Sequence, residues 1–145
     1  MIRSLSGTWL LDTNILVAFF DASSSHHEKA KVLLADLEEG KFQGVIASQN
    51  ILELSAVLIG GYKATRLKVV ADMQTLLTFP HISIMYPTAA SIAEYITLLK
   101  KERTVHASDL FLAATMVSQG VSSIVTNDRD FERISQLTVH NPFAG

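Results

Sequence analysis

The sequence contains no cysteine among its 145 residues. Disulfide frameworks, zinc sites built on thiolates and cysteine nucleophiles are therefore excluded. Any metal that the protein binds must be held by oxygen or imidazole ligands. Hydrophobic residues make up 48% of the chain and charged residues 18%, which is typical of a globular protein. We expect one domain with one core over residues 1–145.

The sequence also lacks an apolar run that could cross a membrane, which takes roughly 20 residues. Arg3 and the apolar stretch 9–20 resemble a secretory signal. Asp12 and Asn14 interrupt this stretch, and a carboxylate at that position opposes insertion. We therefore expect a cytoplasmic protein that does not associate with a membrane.

Positive charge is scarce as well. Twelve lysine and arginine residues stand against 14 acidic residues, so the formal net charge is -2. The chain lacks the broad positive field of proteins that bind nucleic acid through general electrostatics. A nucleic-acid substrate would need local basic groups, although solvated helix faces explain these residues equally well. The candidates are Lys63, Arg66 and Lys68, then Lys100, Lys101 and Arg103, and finally Arg129 with Arg133.

Short apolar runs alternate with segments of helical periodicity along the whole chain. Strands are predicted at residues 8–11, 44–47, 82–85, 121–126 and 137–139. Between them, helices are predicted directly after Asp12 and at residues 25–39, 48–59, 65–77, 88–103 and 108–119, with a short helix or turn at 128–134. Such alternation implies crossover connections, and hence an α/β fold with a mostly parallel sheet and helices on both faces.

Polar residues and apolar periodicity define the predicted helices in more detail. Ser25 and Glu28 have the spacing of a capping box, and Ser48 and Thr88 can each cap a helix. The two helices in the middle of the chain have amphipathic patterns. Their predicted apolar faces are Leu67, Val70, Ala71 and Leu77 in the first, and Ala89, Ile92, Ala93 and Ile96 in the second.

Two aspartates directly follow predicted strands. In open α/β sheets, ligands bind at the carboxyl ends of the strands, and Asp12 and Asp128 occupy that position. If the fold also brings Glu53 and Asp109 there, four like charges share one site, and a cation is needed to neutralise them. With oxygen ligands alone, the natural cation is Mg²⁺ or Mn²⁺, which can activate water for attack on a phosphodiester.

Each of these acids also has a purely structural explanation. Asp12 could cap the first helix, Asp109 could favour the positive end of its own helix, and Asp128 could stabilise a turn. Glu53 could simply face the solvent. Spacing alone therefore does not establish a metal site.

The sequence resembles the PIN-domain nucleases over nearly its whole length, and in particular the VapC-type toxins of toxin-antitoxin pairs. The segment LDTNILV at 11–17 looks like the family's first motif, with Asp12 as a metal ligand. The segments NILEL at 50–54 and HASDL at 106–110 are similar to the next two motifs, with acids Glu53 and Asp109. The segment TNDRDF at 126–131 looks like the last motif, with Asp128 as its acid, and Asn14 and Thr126 correspond to supporting polar residues.

This resemblance implies several properties together. The fold would be an α/β/α sandwich around a parallel sheet, and the activity would be a Mg²⁺- or Mn²⁺-dependent endoribonuclease acting on RNA. A homodimer and an inhibitory antitoxin chain are also implied. Asp130 competes with Asp128 for the role of fourth acid, and we favour Asp128 because it lies closer to the end of the strand.

Two other functions are compatible with the same residues. The chain could be a PIN-like binding module without catalysis, although the presence of all four acids argues against this. It could also be a phosphatase or phospho-accepting domain in which Asp12 is a covalent nucleophile. Asp12-Thr13-Asn14 lacks the second nearby acid expected of many such enzymes.

His106, three residues before Asp109, is a candidate for contact with the substrate or the acids.

Overall fold

The structure, a computed structural model, describes residues 5–144, so Arg3 lies outside the described part. The strands are β1 (Thr8–Leu11), β2 (Gln43–Ala47), β3 (Ile82–Met85), β4 (Ser123–Val125) and β5 (Thr138–His140). The α-helices are α1 (Thr13–Phe20), α2 (His27–Glu38), α3 (Ser48–Ala56), α4 (Arg66–Leu77), α5 (Ala89–Lys101) and α6 (Ala107–Val117). A π-helical turn, Val57–Gly61, follows α3, and a 3-10 helix, Arg129–Arg133, follows β4.

The five strands form one sheet in the order β3-β2-β1-β4-β5, and all four neighbouring pairs are parallel. Chain order reverses on either side of β1, because β2 lies on one side and β4 on the other. The carboxyl ends of β1 and β4 therefore meet at a topological switch point, where ligands bind in folds of this kind.

Helices cover both faces of the sheet, which confirms the predicted α/β/α sandwich. Successive residues of a strand point to opposite faces. Leu11 and Val125 pack with α1 to α4 in one core, whereas Leu10 and Ile124 pack with α5 and α6 in a second core. The single core expected from the sequence is therefore divided in two by the sheet. No helix in the described residues is long and apolar enough to cross a membrane.

Two of the predicted helix caps are wrong. His26, not Ser25, is the residue before α2, and no side chain caps that helix. Ser48 is the first residue of α3 instead of its cap, and the Asn50 side chain accepts the backbone N–H of Ala47 there at 3.1 Å. The cap by Thr88 is confirmed, since its hydroxyl accepts the N–H of Ser91 at 3.4 Å.

The predicted apolar faces of α4 and α5 turn away from the cores. All four residues predicted for each face are exposed, and Leu99 extends the exposed stripe on α5. The buried residues of these helices lie on other faces: Val69, Asp72 and Leu76 in α4, and Ser91 and Leu98 in α5. Periodicity located an apolar stripe on each helix, but the stripe is not the side that packs into the cores.

Candidate active site

Asp12 lies at the centre of the switch point. It follows β1, its own backbone N–H donates to the Val125 carbonyl of β4 at 3.0 Å, and its carboxyl caps α1 through the Thr13 N–H at 2.8 Å. Only 7% of the residue is exposed. Three side chains also donate to the carboxylate: Asn50 to Oδ1 at 3.3 Å, Asn14 to Oδ2 at 3.2 Å and Thr126 to Oδ2 at 2.7 Å. These four hydrogen bonds offset part of the cost of burying the carboxylate.

The side chains around Asp12 use nearly all of their own hydrogen-bonding capacity. The Thr126 hydroxyl donates to Asp12 and accepts from the Asn14 amide at 3.1 Å and from the Asp128 N–H at 3.0 Å. The fully buried Asn50 amide donates to Asp12 and to the Thr13 hydroxyl, the latter at 3.1 Å. Such a saturated network allows each member one orientation, so Asp12 and the backbone before Asp128 are held rigidly.

Glu53 reaches the same network from α3. Its Oε2 accepts from the Thr13 hydroxyl at 2.9 Å, and its Oε1 accepts from the Gln49 amide at 3.0 Å. The same Gln49 nitrogen donates to the Ser108 carbonyl at 2.9 Å, in the first turn of α6. Gln49 therefore joins Glu53 to the helix that carries Asp109.

Asp109, Asp128 and Asp130 complete the acidic group, with one carboxylate oxygen of each lying within 4.8 Å of the others. Asp128 caps the 3-10 helix by accepting the Asp130 N–H at 2.9 Å. Asp130 is paired with the Arg133 guanidinium at 3.5 Å, so a positive charge already compensates it. Asp128 and Asp130 both lie close enough to Asp109 to share one cation, so the preference for Asp128 stays a prediction.

Burial and the charges of neighbouring acids raise the pKa of two members of the acidic group. Burial raises the pKa of Asp12 above its usual range, and the charges of Glu53 and Asp128 add to this effect, while the hydrogen bonds from Thr126 and Thr13 oppose it. Burial, followed by the charges of Asp128 and Asp12, raises the pKa of Asp109 to about 6. The electrostatic interaction with His106 lowers the pKa of Asp109 and so opposes part of this shift.

The acids line a cleft of about 420 Å³. Asp12, Glu53, Asp109 and Asp128 all contribute to its lining, together with Asn14, and no lysine or arginine is among the described residues that do so. Thr126 lies behind them as the donor to Asp12. Among the described residues, the acids close enough to share one ion are Asp109, Asp128 and Asp130, while Asp12 and Glu53 line the same cleft. Carboxylates gathered in this way are ligands that a divalent cation with oxygen coordination fits.

Three further residues contribute to this site that were not predicted from the sequence: Thr13, Gln49 and Asn50. They connect the acids by hydrogen bonds and hold no charge of their own. A signal for two of them was present, because Gln49 and Asn50 follow the end of β2, which neighbours β1 at the same edge of the sheet. This signal did not predict a role for the two side chains, because polar residues are common at the start of any helix.

A parallel α/β/α sandwich with carboxylates converging at its switch point defines a class of proteins suited to holding a divalent cation through oxygen. The chain belongs to the PIN domain family, whose model matches residues 9–137. The resemblance inferred from the four acidic motifs is thereby confirmed. No curated protein matches the sequence.

Several solved structures share this fold. A chain of VapBC2 from Rickettsia felis, bound to a DNA fragment from its promoter, has a TM-score of 0.70 and 22% identity over 92% of this chain and 98% of that chain. VapC20 of Mycobacterium tuberculosis, a sarcin-ricin loop cleaving toxin, has a TM-score of 0.69 and 19% identity over 86% and 93%. A toxin-antitoxin complex from Klebsiella pneumoniae has a TM-score of 0.64 and 22% identity over 93% and 98%. At these identities, the TM-scores show a shared fold alone.

Proposed function

We propose that this chain is a Mg²⁺- or Mn²⁺-dependent endoribonuclease and the toxin of a type II toxin-antitoxin pair. The observation that carries the proposal is that the four acids of the PIN motifs, Asp12, Glu53, Asp109 and Asp128, line one cleft. VapC20, which shares the fold, is a sarcin-ricin loop cleaving toxin, and this supports RNA as the substrate.

The four acids would hold the cation, and Asn14 and Thr126 support them. A divalent cation bound there supplies Lewis-acid activation of water and of a phosphodiester. The residues of the chain provide the geometry: Asn14, Asn50 and Thr126 fix the Asp12 carboxylate, and Thr13 and Gln49 fix that of Glu53. Because those side chains are already oriented, little reorganisation is needed when the substrate binds.

The proposed partners are an antitoxin protein and a second copy of this chain, in the cytoplasm. The fold matches chains from toxin-antitoxin complexes of several bacteria, which supports an antitoxin. The exposed apolar stripes of α4 and α5 supply surface that a protein partner can cover. Expression with and without the neighbouring open reading frame tests the toxin role, and unaffected growth in both cases would count against it.

The nuclease activity is tested by incubating the purified protein with structured RNA. We expect cleavage with Mg²⁺ or Mn²⁺ and none in excess EDTA. Asp12→Asn should abolish cleavage, because the central carboxylate loses its charge, while the fold is retained by circular dichroism. Calorimetric titration with Mn²⁺ should show binding to the native chain and greatly weakened binding to the variant.

Asp72→Asn is the matched control, because Asp72 is 9% exposed and nearly as buried as Asp12 but does not line the cleft. This control should cleave as the native chain does. Undiminished cleavage by Asp12→Asn, or by the native chain in EDTA, would refute the mechanism. An acid-labile phosphate on Asp12 with RNA left intact would instead support a phosphatase or phospho-accepting domain.

A further inference from the structure

The cleft has a second set of lining residues that metal chemistry does not require. Besides the acids and their polar neighbours, three aromatic or imidazole rings contribute to the same lining, those of His26, Tyr62 and Phe143, together with the aliphatic Val17 and Val57. A nucleotide has both an anionic phosphate and a flat, largely apolar base.

His26 and Phe143 form a prearranged stack. Their ring centroids are 4.4 Å apart and their planes differ by 5°. Phe143 is buried in the core, so one face of the His26 ring rests on a fixed support. The backbone of His26 is also held, because its N–H donates to the Ser24 hydroxyl at 3.1 Å and its carbonyl accepts the Ala30 N–H at 3.0 Å.

This stack is connected to the loop that carries Asp128. The Phe143 N–H donates to the Asn141 side chain at 2.9 Å, and the Asn141 amide donates to the Asn127 side chain at 3.0 Å. The Asn127 N–H in turn donates to the Asn14 side chain at 3.0 Å. Hydrogen bonds therefore link the His26–Phe143 stack to Asn14 beside the acids, and the stack and the acids line one cleft.

Tyr62 reaches the cleft from another element. It ends the π-helical turn after α3, where its N–H donates to the Val57 carbonyl at 3.1 Å, and 53% of the residue is exposed. The next residue, Lys63, has φ 52, so the chain turns sharply there. π-helical turns such as Val57–Gly61 are frequent at functional sites. A large, half-exposed ring lining a cleft is available to contact a ligand.

We propose that His26, supported by Phe143, and Tyr62 hold one unpaired nucleobase of the RNA substrate beside the acidic site. The proposal rests on the nuclease function and names how that site takes its substrate. Unpaired bases stack on histidine and tyrosine rings in many RNA-binding sites. Stacking also explains how a chain of net charge -2 gains affinity for RNA, since it has no general positive field to supply it.

The test is binding of a short single-stranded RNA that carries 2-aminopurine in place of each base in turn. Asp12→Asn serves as the background, so that the RNA is not cleaved. We expect quenching of the fluorescence at one position, and Tyr62→Ala or His26→Ala should abolish it and weaken binding by about tenfold. Tyr62→Phe and His26→Phe keep a ring and should retain both. Tyr86→Ala is the matched control, because Tyr86 is 63% exposed but does not line the cleft.

An RNA that lacks the base at the quenched position completes the test. Removing the base should weaken binding of the RNA to the Asp12→Asn protein that keeps both rings. It should not weaken binding further when Tyr62→Ala is also present. The proposal would be overturned if base removal and Tyr62→Ala weakened binding additively at every position of the RNA. Unchanged binding by both alanine variants would also overturn it. Circular dichroism of His26→Ala checks its fold, and Tyr62→Ala keeps the test decisive if His26→Ala is unfolded.

The outcome is separable from that of the nuclease proposal. If the native chain does not cleave RNA with any divalent cation but base and ring remain coupled, the base site stands and the nuclease function fails. If cleavage is metal-dependent while base and ring contribute independently, the nuclease function stands and the base site fails.

Discussion

Apolar side chains are usually buried and polar ones exposed. The carboxyl edge of the sheet and the outer faces of α4 and α5 depart from this pattern in opposite ways. The sheet edge buries polar side chains, such as Asp12 and Asn50, whereas the two helices expose apolar ones, such as Leu67 and Ile96. At the edge, a hydrogen-bond network makes the burial tolerable. On the helices nothing in the described chain covers the stripe. The first region is where we propose that a divalent cation binds, and the second is surface that the proposed protein partner can cover.

The largest effect is expected from two adjacent leucines of α5, which separate its packed side from its exposed stripe. Leu98 is 0% exposed and Leu99 is 44% exposed. Leu98→Ala leaves a cavity in the core and should lower the free energy of unfolding by about 2 to 5 kcal/mol. Leu99→Ala should change it by no more than about 0.5 kcal/mol. Urea denaturation measures both, and equal losses would show that the stripe packs within the domain.

The next effect concerns the buried polar network. Asn50→Leu has a similar volume but leaves the Ala47 N–H without its acceptor and removes a donor from Asp12. We expect a loss of about 3 kcal/mol in unfolding free energy, together with weaker Mn²⁺ binding by calorimetry. Ser91→Ala, also buried but on α5, should lose stability while binding Mn²⁺ normally. If both variants bind Mn²⁺ equally well, the network does not position Asp12.

A smaller effect on catalysis is expected from Gln49, which links Glu53 on α3 to the first turn of α6. Gln49→Leu removes the amide that joins Glu53 to the Ser108 carbonyl. Because Gln49 is only partly buried, the fold should survive, and kcat for RNA cleavage should fall about tenfold, or about 1.4 kcal/mol of barrier. Gln49→Glu places a like charge beside Glu53 and should lose more. Native kcat in Gln49→Leu would mean that Glu53 is positioned without it.

The smallest effect is the dependence of stability on pH without metal. The pKa of Asp109 is raised to about 6 from 3.8, and that of Asp12 is also raised, so both acids bind their protons more tightly in the folded state. Stability from this source is present below pH 4 and is lost as the pH rises through about 6. Asp109→Asn should therefore stabilise the metal-free chain at pH 7 by about 1 kcal/mol, a figure reduced for solvent screening, but not at pH 4.

Urea midpoints in EDTA at pH 4 and pH 7 measure this effect. A divalent cation should abolish the advantage of the variant at pH 7, because the cation neutralises the same charge. An equal gain at both pH values would show that repulsion within the acidic group is not its cause.

The site could be predicted only in part, because charged and uncharged residues leave different traces in a sequence. Asp12 and Asp128 were predicted from strand ends as well as from motifs, whereas Glu53 and Asp109 depended more heavily on resemblance. Asn50 was missed, since an uncharged amide at a helix start has many ordinary explanations. Its importance arises from β2 lying beside β1, which brings it to Asp12 over 38 positions of sequence.

The sequence by itself determined the order of strands and helices, the parallel sheet and the acids of the PIN motifs, because backbone periodicity and strand ends are local properties. Only the tertiary structure decided which face of α4 and α5 packs inward. A helix shows the same apolar stripe whether its own core or another surface is to cover it, and that choice depends on the neighbouring elements. The same holds for the rings in the cleft, since His26, Tyr62 and Phe143 become neighbours of the acids only when the chain is folded.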